Sequence, residues 1–99
     1  MSYKCIYSPI ALIEYKAAVS WYNVRSKMAA QNFVTAIKEK IELICKNPLS
    51  YRNSFKHFRE ISLKKYPYSL IYFTDEVQKI IVITSIFHHK RNPKKKYIK

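Results

Sequence analysis

Ninety-nine residues are enough for one domain around one core, which excludes an enzyme built from separate cofactor and substrate domains. Apolar residues make up 48% of the chain, nine Tyr, five Phe and one Trp among them, too many for a chain that stays unfolded even at a formal net charge of +13. The absence of Gly removes the loops in which backbone closely approaches a nucleotide phosphate. Met1 to Pro9 holds no apolar signal core and the longest apolar run, Ile80 to Phe87, is far too short to span a bilayer, so a cytoplasmic chain without membrane contact is expected.

In chain order, Tyr3 to Tyr7 is β-prone and stops at Ser8-Pro9, a helix N-cap followed by a residue suited to the first helical position. Ile10, Ile13, Ala17, Trp21 and Val24 then recur at three- and four-residue spacing, which predicts a core-facing stripe on a first helix. Ser26 can cap a second helix whose stripe is Ala30, Phe33, Val34, Ile37, Ile41, Ile44 and Cys45. Asn47-Pro48 ends it, with Asn suited to a left-handed C-cap. Two helices with so short a joint form a hairpin. Cys5 and Cys45 lack a second nearby Cys and read as small buried hydrophobes, with no metal or redox motif.

Beyond Pro48 the residues become β-branched and aromatic. Phe58 to Leu63 alternates, with Phe58, Glu60 and Ser62 on one side and Arg59, Ile61 and Leu63 on the other. Ser69 to Thr74 and Val77 to Phe87 predict a β-hairpin around Asp75-Glu76, its second strand buried on both faces; without Gly its turn is a longer loop. His88 to Lys99 holds six bases and no acid. The expectation is a single α+β domain over residues 1–99 with a basic tail at 88–99. Its order is β-α-α-β-β-β, an antiparallel helical hairpin packed on a mostly antiparallel twisted sheet. The opposite sheet face is expected to be cationic and open. The Lys and Arg excess invites nucleic acid, an anionic surface or an acidic protein. Fifteen of the nineteen are Lys, so biased codon usage is the competing reading.

That element order, the Lys46-Asn47-Pro48 stop, Lys65-Tyr66-Pro67-Tyr68 leading into Leu70-Ile71-Tyr72, and Phe87-His88-His89-Lys90-Arg91-Asn92-Pro93 after the last strand resemble the RelE/ParE superfamily of toxins from type II toxin-antitoxin pairs. The resemblance spans nearly the whole chain. It implies a growth-inhibiting toxin neutralised by a cognate antitoxin with an acidic or amphipathic segment, and no cofactor or metal. It also implies one of two targets. ParE-like members inhibit DNA gyrase; RelE-like members are ribosome-dependent messenger-RNA endoribonucleases and so enzymes. The Tyr-Pro-Tyr and His-x-x-Arg-x-Pro wording is closer to ParE. RelE-like nucleases usually carry an Arg after the aromatic strand residues, where this chain has Ser69. A basic nucleic-acid-binding module without toxicity is the reading from another class.

If the chain is RelE-like, the catalytic candidates are Arg59, Lys65 and Arg91 as charge stabilisers, and His88 (or His89) and Tyr97 as acids. Target or nucleic-acid binding would fall to Arg59, Lys64, Lys65, Arg91, Lys94, Lys95 and Lys96. Each has a plainer reading. One of the His pair can hydrogen-bond backbone, Tyr66, Tyr68 and Tyr72 can pack a sheet face, and Lys94 to Lys96 can be a solvated run.

Overall fold

The computed structural model describes residues 3–90. Ser8 caps α1 (Pro9–Arg25) by accepting from the Ala11 amide at 3.1 Å. Its hydroxyl also donates to the Thr84 carbonyl at 3.2 Å, so one side chain starts the helix and ties it to the sheet. Ser26 is at once the C-cap of α1 and the N-cap of α2 (Lys27–Lys46), accepting from the Ala29 amide at 3.2 Å. A one-residue joint forces the antiparallel hairpin. At the end of α2 Asn47 has φ −143°, so the expected left-handed cap is absent; the chain turns instead through Pro48, whose carbonyl accepts from the Tyr72 hydroxyl at 2.5 Å.

The sheet contains β1 (Lys4–Tyr7), β2 (Asn53–Phe55), β3 (Phe58–Ser62), β4 (Tyr68–Asp75) and β5 (Ile80–His88) in the order β1-β5-β4-β3-β2. Only the β1/β5 pair is parallel among the described residues. The α+β class and mostly antiparallel sheet are as expected. The short β2 was not foreseen, since three residues carry no periodicity. The β4–β5 loop is the longer, Gly-free kind: Asp75 Oδ1 accepts from the Val77 and Gln78 amides, and Lys79 takes φ 58°. Val77 is 93% exposed in that loop and not part of the strand.

One face of the sheet packs under the helices through Leu70, Tyr72, Ile81, Ile83 and Ile86, against Phe33, Ile37 and Ile44 of α2. The stripe expected on α2 is the observed one. On α1 it is not: the buried residues are Ala11 and Ala18, with Tyr15, Val19 and Tyr22 packed beside them, whereas Ile13, Trp21 and Val24 face solvent. The opposite sheet face is not the expected cationic surface either. Phe58, Ile71 and Phe87 form a second apolar cluster there, with Phe73 packed against it. Glu60 shares that face, in register with Ile71, and Arg52 ion-pairs with it at 3.3 Å. The two cysteines are half-buried side by side, and burial followed by the neighbouring Cys45 thiol pushes Cys5 up to about 12.

Burial also pushes the Tyr72 phenol up to about 12, and does the same at Tyr7, where the stacked Tyr15 adds to it. An unfolded Tyr ionises near about 10. Between those values the unfolded chain gives up protons that the native state keeps, so stability is intact below the lower value and falls as pH rises. Melting temperature is therefore expected to fall steadily from about pH 10 to about pH 12. Tyr72→Phe, about 1 kcal/mol less stable at neutral pH for want of the bond to Pro48, should show a shallower fall. Parallel curves for the two proteins in thermal melts would place the alkaline loss elsewhere.

Candidate functional site

At one end of the sheet the β3–β4 turn and the end of β5 are joined through backbone. Leu63 N–H donates to the Tyr68 carbonyl at 2.9 Å, Tyr68 N–H to Tyr66 at 2.8 Å, and His89 N–H to Pro67 at 2.9 Å. Leu63 and Tyr66 point into the main core, so Lys64 and Lys65 between them are turned outward and exposed. They form one wall of a cleft of about 580 Å³ whose other wall is α2, with Asn32, Glu39, Lys40 and Leu43.

The turn's position is set by an aromatic cluster. Phe33, fully buried, stacks on Tyr22 at 4.9 Å, meets Tyr66 edge-on at 5.2 Å and Tyr68 at 5.4 Å. α1, α2 and the turn thereby share one anchor. Of the three tyrosines singled out in the sequence, Tyr66 and Tyr68 pack against the main core cluster, and Tyr72 lies within it.

Behind the turn, Ser69 is fully buried. Its hydroxyl lies 3.0 Å from that of Ser62, its cross-strand partner, and 2.9 Å from His89 Nε2. A hydrogen-bonded chain thus runs from exposed Ser62 to exposed His89 through the buried Ser69 hydroxyl. His88 meets Tyr68 edge-on at 4.9 Å, and its Nδ1 accepts from the Lys90 amide at 3.0 Å.

The expected site residues are only partly brought together. Lys64, Lys65, His88 and His89 gather at this end. Arg59 does not join them. It lies in register with Tyr72 on the helix side of the sheet and donates through Nη1 to the Tyr51 carbonyl at 2.8 Å. Its fork is thereby turned from any phosphate on the opposite face. Arg91, Lys94, Lys95, Lys96 and Tyr97 lie outside the described residues. Sequence reasoning missed Lys40, which long-range packing brings to the cleft. It also missed the Ser62–Ser69–His89 chain, although serines flanking a Lys-Lys-Tyr-Pro turn were a usable hairpin signal. Among the described residues no three His, Cys, Asp or Glu side chains converge as metal ligands, and no helix is long and apolar enough to cross a membrane.

Residues 5–93 match a family model described as the ParE toxin of the type II toxin-antitoxin system, parDE. A chain of a chromosomal ParDE TA system from P. aeruginosa superposes with TM-score 0.72 at 20% identity, covering 88% of this chain and 96% of that one. An E. coli RelE toxin double mutant in the free state gives TM-score 0.65 at 15% identity, over 91% of this chain and 86% of that one. The isolated E. coli RelE toxin gives 0.63 at 16%, over 92% and 88%. At these identities the structures attest the shared fold. No curated protein matches the chain significantly.

Proposed function

Since the chain belongs to the ParE toxin family of type II toxin-antitoxin systems, we propose that it arrests growth by inhibiting DNA gyrase and is held inactive by a cognate antitoxin. The choice of target rests on Ser69, fully buried and engaged with Ser62 and His89, which follows Tyr66-Pro67-Tyr68 where the resemblance to RelE-like nucleases calls for an Arg. A hydroxyl cannot stabilise the dianionic phosphate of a cleavage transition state as a guanidinium does. Arg59, held by a backbone carbonyl on the other face, does not replace it. Lys64 and Lys65 on the cleft wall, with Arg91, Lys94, Lys95 and Lys96, are proposed as cations that engage the target. His88 and Tyr97 as catalytic acids, with Arg59, Lys65 and Arg91 as charge stabilisers, remain tied to the endoribonuclease alternative.

Two assays on the same preparation test this. The purified chain is expected to inhibit gyrase supercoiling of relaxed plasmid while leaving transcripts intact in a translating extract. Lys64→Ala with Lys65→Ala should weaken inhibition roughly tenfold, about 1.4 kcal/mol for two solvent-exposed charges. Transcript cleavage with unimpaired supercoiling would replace this reading with the nuclease one.

A further inference from the structure

The N-terminal strand is fastened to the end of α2, and the fastening brings together the two cysteines of the sequence. The Tyr3 amide donates to the Cys45 carbonyl at 3.3 Å, one of the last-turn carbonyls that a helix cannot satisfy within itself. Tyr3, Cys5 and Tyr7 alternate along β1 onto the core side. Cys5 there meets Cys45, although the whole helical hairpin lies between them in sequence.

The contact has a direction, which two packed hydrophobes would not need. The Cys5 S–H donates to the Cys45 sulfur, so Cys45 is the sulfur better prepared to carry negative charge. Burial pushes the Cys45 thiol up, the bond from Cys5 pulls it back, and Glu42 pushes it up again; Cys5 is held at about 12. Access is asymmetric in the same sense. Cys45 lines an open cleft of about 330 Å³ with Ile41, Glu42 and Lys46, and Cys5 does not reach it. One thiol meets an incoming reagent, and the other is placed to attack the first.

From this juxtaposition we infer that Cys45 and Cys5 are the attacking and resolving thiols of a reversible disulfide switch whose oxidant is a low-molecular-weight disulfide such as glutathione disulfide. The Cys45 thiolate attacks one sulfur of the reagent, forming a mixed disulfide, and the other half leaves as a thiolate that takes up the proton Cys45 released. Cys5 then loses its proton and attacks the Cys45 sulfur, and the second half of the reagent leaves and is protonated. Two protein thiols are oxidised to one disulfide, and the reagent is reduced to two thiols. The bridge ties β1, an edge strand of four residues with β5 as its one neighbour in the sheet, to the end of α2. A short edge strand next to a chain terminus is where a fold opens most readily. The bridge blocks that opening and also restricts the unfolded chain. The inference stands apart from the toxin reading and from the choice of target.

The test treats the purified chain with excess glutathione disulfide and follows intact mass, peptide maps and thermal melts. The wild-type chain is expected to lose about 2 Da, with Cys5 and Cys45 joined within one chain. It should then melt at least about 5 °C higher, until dithiothreitol restores the original value. Cys5→Ser should stop at a glutathione adduct on Cys45, and Cys45→Ser should react on the order of tenfold more slowly at its remaining thiol. Should either serine variant fail to fold, the wild-type masses and melts decide alone. A lasting glutathione adduct on the wild-type chain would overturn the inference, since Cys5 would not be resolving it. So would a bridge between two chains, or thiols that react only once urea has unfolded the protein. A bridged chain that melts no higher than the reduced one would remove the fastening of β1 and the switch with it.

Discussion

Phe33→Ala is expected to lower stability by about 3–5 kcal/mol, a large part of the roughly 5–15 kcal/mol that holds a domain of this size together. Phe33 is fully buried with Tyr22, Tyr66 and Tyr68 around it at ring separations of 4.9–5.4 Å. Truncation removes the transfer free energy of the ring and leaves a cavity that these side chains, each fixed to a different element, can close only in part. Phe33→Leu, which keeps much of the volume, should cost less than half as much. Urea denaturation measures both. The alanine variant should also show faster amide exchange at Leu63, Tyr68 and His89, because the backbone bonds of the β3–β4 turn rest on the cluster. A loss below about 1 kcal/mol would mean that the cavity collapses and that the aromatic cluster does not anchor the Lys64–Lys65 wall.

What the sequence discloses and what it hides follow one physical division. Ser8-Pro9 and Ser26 act through neighbours three residues away, and α2 has a single apolar stripe, so caps, hairpin and the inner face of α2 are legible without tertiary information. α1 is the counter-case. It has two apolar sides, and periodicity reports that sides exist, not which one meets the core. The chosen side uses Ala11 and Ala18, small enough to let the helix lie close to β5, while the larger Ile13, Trp21 and Val24 are left outside. A hydrophobicity count favours the wrong strip.

The site divides in the same way. Lys64 and Lys65 were placed by their position before Tyr-Pro-Tyr, a local signal, and the resemblance pointed to Ser69 as a departure. That Ser69 is buried against His89, and that Arg59 faces the helices, depends on strand register and on which sheet face the helices cover. Alternation separates Arg59 from Glu60 correctly but does not say which of them lies under the hairpin. For that reason the expected cationic sheet face became an apolar face with Glu60 in it.

Glu14 helps to decide the orientation of α1, and Glu14→Ala is expected to cost about 2–4 kcal/mol. Thr84 is the extra residue of a bulge in β5, between Ser85, in register with Ile71, and Ile83, in register with Tyr72. Next to it, Glu14 Oε1 accepts from the Ser85 hydroxyl at 2.8 Å and from the Ile86 amide at 2.9 Å. Ile86 is 1% exposed and Ser85 2%, so removing the carboxylate strands a buried backbone donor, the expensive half of a hydrogen-bond deletion. Ser85→Ala should add little to a chain already lacking Glu14, giving a coupling of about 1 kcal/mol or more in a double-mutant cycle. Glu14→Gln, which retains an acceptor oxygen, should recover over half of the loss. Tyr15, stacked on Tyr7, and Tyr22, stacked on Phe33, hold α1 beside its two small alanines, and Glu14 adds directional hydrogen bonds to that packing. The carboxylate clamp helps to fix the roll and so to hold Trp21 and Val24 outward. Equilibrium unfolding of the three variants decides this: a Glu14→Ala chain within about 1 kcal/mol of wild type would show that packing sets the helix and the clamp does not.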